Sequence, residues 1–217
     1  KDIRVVILTG SGEKAFCAGG DVAEFKEAGN NVDNMVREMT SYLHASISRL
    51  AWLEAPVIAQ VNGVAAGAGL SFVSCCDLAI ASENSTFTSA YTRIGFTPDG
   101  SSTYFLPRLL GRKRVLELYL TNRVLSANEA LEWGLINQVT TQDRLGKQVE
   151  ELANQLAEGP TKAFGGVKKL VMMSHQDSLE SQMERETRQI AKMAMSDDGI
   201  EGVKAFSEKR KPRFAGQ

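Results

Sequence analysis

Two short glycine-rich segments are the part of this 217-residue chain best suited to chemistry. Phe16-Cys17-Ala18-Gly19-Gly20-Asp21 and Asn62-Gly63-Val64-Ala65-Ala66-Gly67-Ala68-Gly69 each follow an apolar stretch that reads as a strand. Both lack bulky side chains where a ligand would have to approach the backbone. The second runs straight into Leu70-Ser71-Phe72-Val73, so its amides lie at a helix N-terminus with the helix dipole behind them. One N–H from each loop, aimed at a single oxygen, makes an oxyanion hole worth roughly 3–4 kcal/mol per donor to a developing negative charge. Glycine turns also serve simply to pack helices against strands, and the residues alone leave both readings open. A nucleotide site fits less well, because there is no Gly-Lys-Ser/Thr and no strand followed by GxGxxG with a distal acid.

The remaining reactive residue types read mostly as structure. Pro98-Asp99-Gly100 is, on its own chemistry, a turn. His44 follows the apolar Leu43 on a predicted helix, where a lone histidine is ordinarily structural, and His175 reads as a loop or helix-start residue. Cys17 suits packing better than nucleophilic attack. Glu180, Glu184 and Glu186 form a solvated helix face, and Trp52 and Trp133 are core or interface anchors. No His/Cys/Asp cluster has metal-binding spacing.

The elements that must position these groups follow an alternating pattern. Ile3-Arg4-Val5-Val6-Ile7-Leu8-Thr9 is a buried-strand signal closed by Gly10. A domain opening on such a strand is expected to have lost a segment upstream, which would leave an open sheet edge. Apolar Met35, Met39, Leu43, Ile47 and Leu50 recur every three to four residues, predicting an amphipathic helix over 34–53 that Pro56 stops. Strands are predicted at 57–61 and 77–81, with a short, nearly all-apolar helix over 70–76 between them. Short apolar strands joined by crossover helices imply an α/β domain with mostly parallel pairing. Ser126 and Glu129 stand at capping-box spacing ahead of a helix that Gly134 should end. A further helix is predicted over 143–157, and after Gly159-Pro160 the chain reads as helical to its end, with apolar Val167, Leu170, Val171, Leu179, Met183, Ile190 and Met193. The expected division is a core over 1–158 and a helical oligomerisation subdomain over 159–217.

Composition sets outer bounds. With 25 basic and 26 acidic residues, the net charge of −1 argues against a protein built around nucleic-acid phosphates or an anionic membrane. Three cysteines, two of them adjacent, indicate reduced thiols and a reducing, cytoplasmic compartment. No uninterrupted apolar run approaches the roughly 20 residues a bilayer span requires.

Taken in order, FCAGGD, NGVAAGAG, CDLAIAS, the PDG segment before LPRLLGR, WGLINQV and GVKAFSEKRKPRF resemble the crotonase (enoyl-CoA hydratase/isomerase) superfamily over essentially the whole chain. The resemblance implies an α/β ββα spiral with a C-terminal helical trimerisation region, lacking here the usual N-terminal hairpin and first helix. It implies an acyl-CoA substrate, with coenzyme A entering as part of the thioester and no separate cofactor, and assembly as a homotrimer or hexamer. By position, the amides of Gly20 and Ala68 would hold the thioester oxygen, with Gly67 beside them. Ala18, Asp21 and Val22 would border the adenine, and Lys209 and Phe214 are candidate coenzyme A contacts. Phe72, Tyr91 and Phe96 would wall the acyl pocket.

The resemblance also addresses which acid acts. Hydratases of the family use two glutamates, and the matching positions here hold Ser71 and Tyr91, so that mechanism does not transfer. Asp99 matches the one catalytic acid of enoyl-CoA isomerases, where a carboxylate takes a proton from C2 and returns it to C4. It also matches the nucleophilic aspartate of 4-chlorobenzoyl-CoA dehalogenase, whose histidine aligns with His44 and whose tryptophan aligns with Tyr91. Isomerisation is the leading expectation. Hydration, dehalogenation and non-catalytic binding of a CoA ester are the alternatives.

Overall fold

Short runs of β-branched and small apolar residues form eight strands in the computed structural model, which describes residues 3–217. β1 (Val6–Thr9), β3 (Val57–Val61), β5 (Leu78–Ser82) and β8 (Gln138–Thr140) make one four-stranded sheet in that order. β3 pairs parallel with β5, and β5 with β8. β2 (Ala15–Cys17), β4 (Val64–Ala66), β6 (Thr86–Thr88) and β7 (Leu125–Ser126) make a second, parallel from β2 to β6 and antiparallel at β7. Val57, Ile58, Ala59 and Val61 are wholly buried, which explains why β3 carries no polar alternation. Burial of each Val or Ile there contributes about 1.5–3 kcal/mol.

The described residues also form ten α-helices: α1 (Val22–Ala28), α2 (Val32–Trp52), α3 (Ala68–Cys75), α4 (Ser102–Leu110), α5 (Arg112–Thr121), α6 (Ala127–Trp133), α7 (Gln142–Ala157), α8 (Thr161–Met173), α9 (Leu179–Ala194) and α10 (Asp197–Ser207). α2, α3, α7 and β3 fall where the sequence periodicity places them. The capping box of α6 is complete: the Ser126 hydroxyl accepts from Glu129 N–H, Glu129 reaches back to Ser126 N–H, and Gly134 ends the helix at φ 83°.

Two features depart from the expectation. The second sheet was not foreseen, because its strands are two or three residues long and run through Gly- and Ala-rich sequence that reads as loop. The stretch after Pro160 is not helical to its end: past Ser207 it becomes an extended tail. There the buried Asp198 accepts from Ala215 N–H at 2.6 Å and Gly216 N–H at 2.8 Å. Of the two tryptophans, Trp133 is in the core under the guanidinium groups of Arg114 and Arg123, and Trp52 is about half exposed.

The described residues fall into two compact units. The larger comprises residues 7–51 and 58–149, and the smaller residues 3–6, 52–57 and 150–217. The smaller is organised by Arg4, which donates to the carbonyls of Ala157 and Gly159, and by Lys168, which donates to that of Ala55. No helix among the described residues is long and apolar enough to cross a membrane.

Candidate active site

Parallel pairing of β2 with β4 brings the ends of the two glycine-rich loops together, with Ala15 opposite Val64 and Cys17 opposite Ala65. The fit is close enough that a Cβ added to Gly69 would stand 2.1 Å from the Cys17 carbonyl oxygen, which no other residue could tolerate. Gly19, at φ +100°, would place one 3.3 Å from the Ala66 carbonyl. The buried Asn62 braces the turn between β1 and β2 that leads into the first loop. Its Oδ1 accepts from Gly10 N–H at 3.1 Å, and its Nδ2 donates to the carbonyls of Gly10 and Gly12 at 3.1 and 2.7 Å.

Ala68 is the first residue of α3, so its N–H has no intrahelical acceptor. Neither it nor the Gly20 N–H donates a hydrogen bond within the described residues. These two amides, on loops locked in register, are free donors at the wall of one cavity.

That cavity, of about 830 Å³, lies within the larger unit. Gly19, Gly20, Gly67, Ala68, Tyr91 and Asp99 line it together, with Cys17, Ala18 and Val22 from the first loop and α1. Its apolar wall is Phe25, Val36, Met39, Leu43, Phe72, Ile94 and Phe96, and the rings of Phe25 and Phe96 meet at 5.6 Å between centroids. Asp33 and Arg93 add the remaining charge, Asp33 on the solvent-exposed first turn of α2.

Asp99 is held from several directions. Its carbonyl accepts from the hydroxyls of Ser71 and Ser102 at 3.1 and 2.9 Å. The next amide, Gly100 N–H, donates to His44 Nε2 at 3.2 Å, which fixes that nitrogen as the unprotonated one. The carboxylate Oδ1 accepts from the Tyr91 hydroxyl at 2.5 Å. Burial, and then the Asp99 carboxylate beside it, push the Tyr91 phenol well above its ordinary range, so it stays protonated and donates. Asp99 Oδ2 has no partner among the described residues.

The site residues expected from the sequence separate into three groups. Gly20, Ala68, Asp99, Ala18, Val22, Gly67, Phe72, Tyr91 and Phe96 come together around the cavity. Asp21 and His44 do not line it: the Asp21 carboxylate caps α1 by accepting from Ala23 N–H, and His44 braces the Asp99 turn from α2. Lys209 and Phe214 belong to the smaller unit, Lys209 exposed at φ 52° after α10 and Phe214 against Gly202. Residues the sequence did not single out are Phe25, Val36 and Met39. The helical spacing of Met39 marked it only as core-facing, and nothing local distinguishes a cavity wall from a core.

An α/β scaffold here presents two free amides and a braced carboxylate to one apolar cavity, an arrangement in which main-chain donors can meet negative charge developing on an oxygen. The description "Enoyl-CoA hydratase/isomerase" belongs to the family model that matches residues 1–217, and the chain is a member of that family. Enzymes of this family act on coenzyme A thioesters and need no further cofactor. The chain is 37% identical over 221 residues to the 1,2-epoxyphenylacetyl-CoA isomerase of Escherichia coli K12, covering 99% of this chain and 82% of that protein. It is 38% identical over 189 residues to 4-chlorobenzoyl coenzyme A dehalogenase-1 of an Arthrobacter species, covering 87% and 68%. The crystal structure of an enoyl-CoA hydratase from Bacillus anthracis superposes with a TM-score of 0.91 at 36% identity, over 99% of this chain and 82% of that one.

Proposed function

We propose that the chain is an enoyl-CoA isomerase, moving a double bond of an acyl-CoA thioester by proton transfer through an enolate. The observation that carries this reading is Asp99: a cavity-lining carboxylate with one free oxygen, beside Ser71 and Tyr91 at the positions of the family's hydratase glutamates. The thioester oxygen would accept from the amides of Gly20 and Ala68, which acidifies C2. Asp99 Oδ2 would take the C2 proton, the electron pair would delocalise onto the held oxygen, and the same proton would return to C4 as the carbonyl re-forms. One base suffices for this exchange, whereas adding water requires a second group to activate it. Ala18 and Val22, at the rim, would meet the coenzyme A portion.

The 38% identity to a dehalogenase raises a second use of the same carboxylate, attack on an aromatic ring assisted by His44. Against it, His44 Nε2 is already occupied by Gly100 N–H, and the ring is not part of the cavity wall. Assembly as a trimer or hexamer is part of the proposal. It is supported by the exposure of Leu179, Met183 and Ile190 on α9 and of Ile200, Val203 and Phe206 on α10, a larger apolar face than a solvated subunit ordinarily shows.

The test compares Asp99→Asn with the parent protein on 3-enoyl-CoA and crotonyl-CoA thioesters, followed by ultraviolet absorbance of the conjugated product. The variant should lose about 10²–10⁴-fold in kcat on the 3-enoyl ester while binding a saturated acyl-CoA normally. Unchanged turnover removes Asp99 from the mechanism, and conversion of crotonyl-CoA alone makes the protein a hydratase.

A further inference from the structure

We propose that Tyr91 is the residue that confines Asp99 to proton transfer between carbons, by occupying one carboxylate oxygen and denying it to water. The inference rests on the isomerase reading of Asp99 and adds a determinant of which reaction that carboxylate performs.

The geometry gives Tyr91 little freedom. Ala90 before it adopts a left-handed conformation at φ 60°, which a residue with a Cβ disfavours and which persists only where the surroundings enforce it. Tyr91 N–H donates to the Ser89 carbonyl at 2.8 Å, and the Tyr91 carbonyl accepts from Phe96 N–H at 3.1 Å. The ring is thereby set within the cavity wall, with its hydroxyl 2.5 Å from Asp99 Oδ1. Asp99 is equally constrained by the bonds from Ser71 and Ser102 to its carbonyl and from Gly100 N–H to His44.

A carboxylate with both oxygens free could bind a water on one while holding the substrate proton on the other, and so exchange that proton with solvent. Here the Oδ1 site is filled by a donor from the protein. The proton removed from C2 resides on Oδ2, and the Tyr91 hydroxyl stands where a water on Oδ1 would exchange with it. The proton is therefore kept on the carboxylate and returned to carbon. Tyr91 acts through Asp99 and is a positioning residue, not a catalytic one.

The test is Tyr91→Phe, which keeps the aromatic wall and removes the hydroxyl. The probe is trans-3-hexenoyl-CoA in deuterium oxide, with products resolved by NMR. Loss of a charge-assisted bond predicts a fall of roughly 10–100-fold in kcat with KM changed less than about threefold. Deuterium should enter C4 more extensively than with the parent protein. In the Asp99→Asn background the same substitution should leave the residual rate unaltered, because its effect passes through the carboxylate. Thermal melting and calorimetric binding of butyryl-CoA show whether the variant keeps its fold and its site. An unchanged kcat and deuterium pattern overturns the proposal. So does an effect that adds in full to that of Asp99→Asn, or a loss that tracks weakened butyryl-CoA binding alone. If Asp99→Asn itself retains full turnover, the isomerase reading fails first and by a separate result.

Discussion

Replacing Ala68 by proline isolates the contribution of one main-chain donor. Ala68 opens α3, the helical position where proline is best tolerated, because the amide it lacks would be unpaired in any case. The residue before a proline must avoid the α region. Gly67 does so at φ 55°, ψ −119°, the mirror image of an extended conformation that glycine adopts freely. The bonds that shape the turn, Gly67 N–H to the Thr88 carbonyl and Ser71 N–H to the Gly67 carbonyl, both at 3.2 Å, involve other atoms. Stability should therefore change by less than about 1 kcal/mol. The thioester oxygen, in contrast, loses one of two donors and meets the ring Cδ in its place. A missing oxyanion donor costs about 2.7–4 kcal/mol, so kcat/KM should fall about 10²–10³-fold. Ala68→Ser, which retains the N–H, should keep the parent rate. The assay is steady-state isomerisation of a 3-enoyl-CoA beside a thermal melt of each protein. A proline variant that melts normally and turns over within about threefold of the parent would refute the assignment of this amide.

Two further outcomes concern stability. Glu129 is pulled from the ordinary 4.5 down to about 2 by Ser126 N–H, then by the Arg123 guanidinium and the Ser126 hydroxyl. A carboxylate depressed on folding contributes stability that is complete above the unfolded value and is lost as pH falls through the folded one, so the gap in urea midpoint between the parent and Glu129→Gln should close from about pH 5 down to about pH 2. Gly146 lies inside α7, where an added Cβ meets nothing within 4 Å, so Gly146→Ala should stabilise by about 0.5–1 kcal/mol and raise Tm by a few degrees in calorimetry.

How much of this was legible in the sequence depended on whether the determinant was local. The α6 caps were readable because Ser126 and Glu129 act within one turn of helix and Gly134 ends it locally. β3 was readable because five consecutive residues are apolar apart from Gln60. The second sheet was not, since Val64-Ala65-Ala66 becomes a strand only by pairing with β2 and β6 on either side. The two loops announced themselves as approachable backbone, but that their amides remain unpaired depends on tertiary register. Asp99 stood out only through family resemblance, for Pro-Asp-Gly alone is a turn. Its link to Tyr91 had no sequence signal, because it requires left-handed backbone at Ala90, a residue type that does not advertise one.

The space around Asp99 also explains why this site holds one acid and not two. Gly100 adopts φ +60°, and a Cβ there would fall 2.7 Å from Ser71 Cβ and 2.8 Å from its Oγ, so the turn after Asp99 is packed directly on Ser71. Ser71 is fully buried, and its hydroxyl is spent on the Asp99 carbonyl. A longer side chain at 71 would need the volume the turn now fills, and would give up the bond that holds Asp99 in place. At position 91 the same logic runs through the hydroxyl: it donates to Asp99 Oδ1, and a carboxylate there would repel that oxygen. A braced Asp99 and a pair of acids at 71 and 91 thus compete for the same space and the same bonds. The chemistry open to this chain follows from which of them its backbone was folded to accommodate.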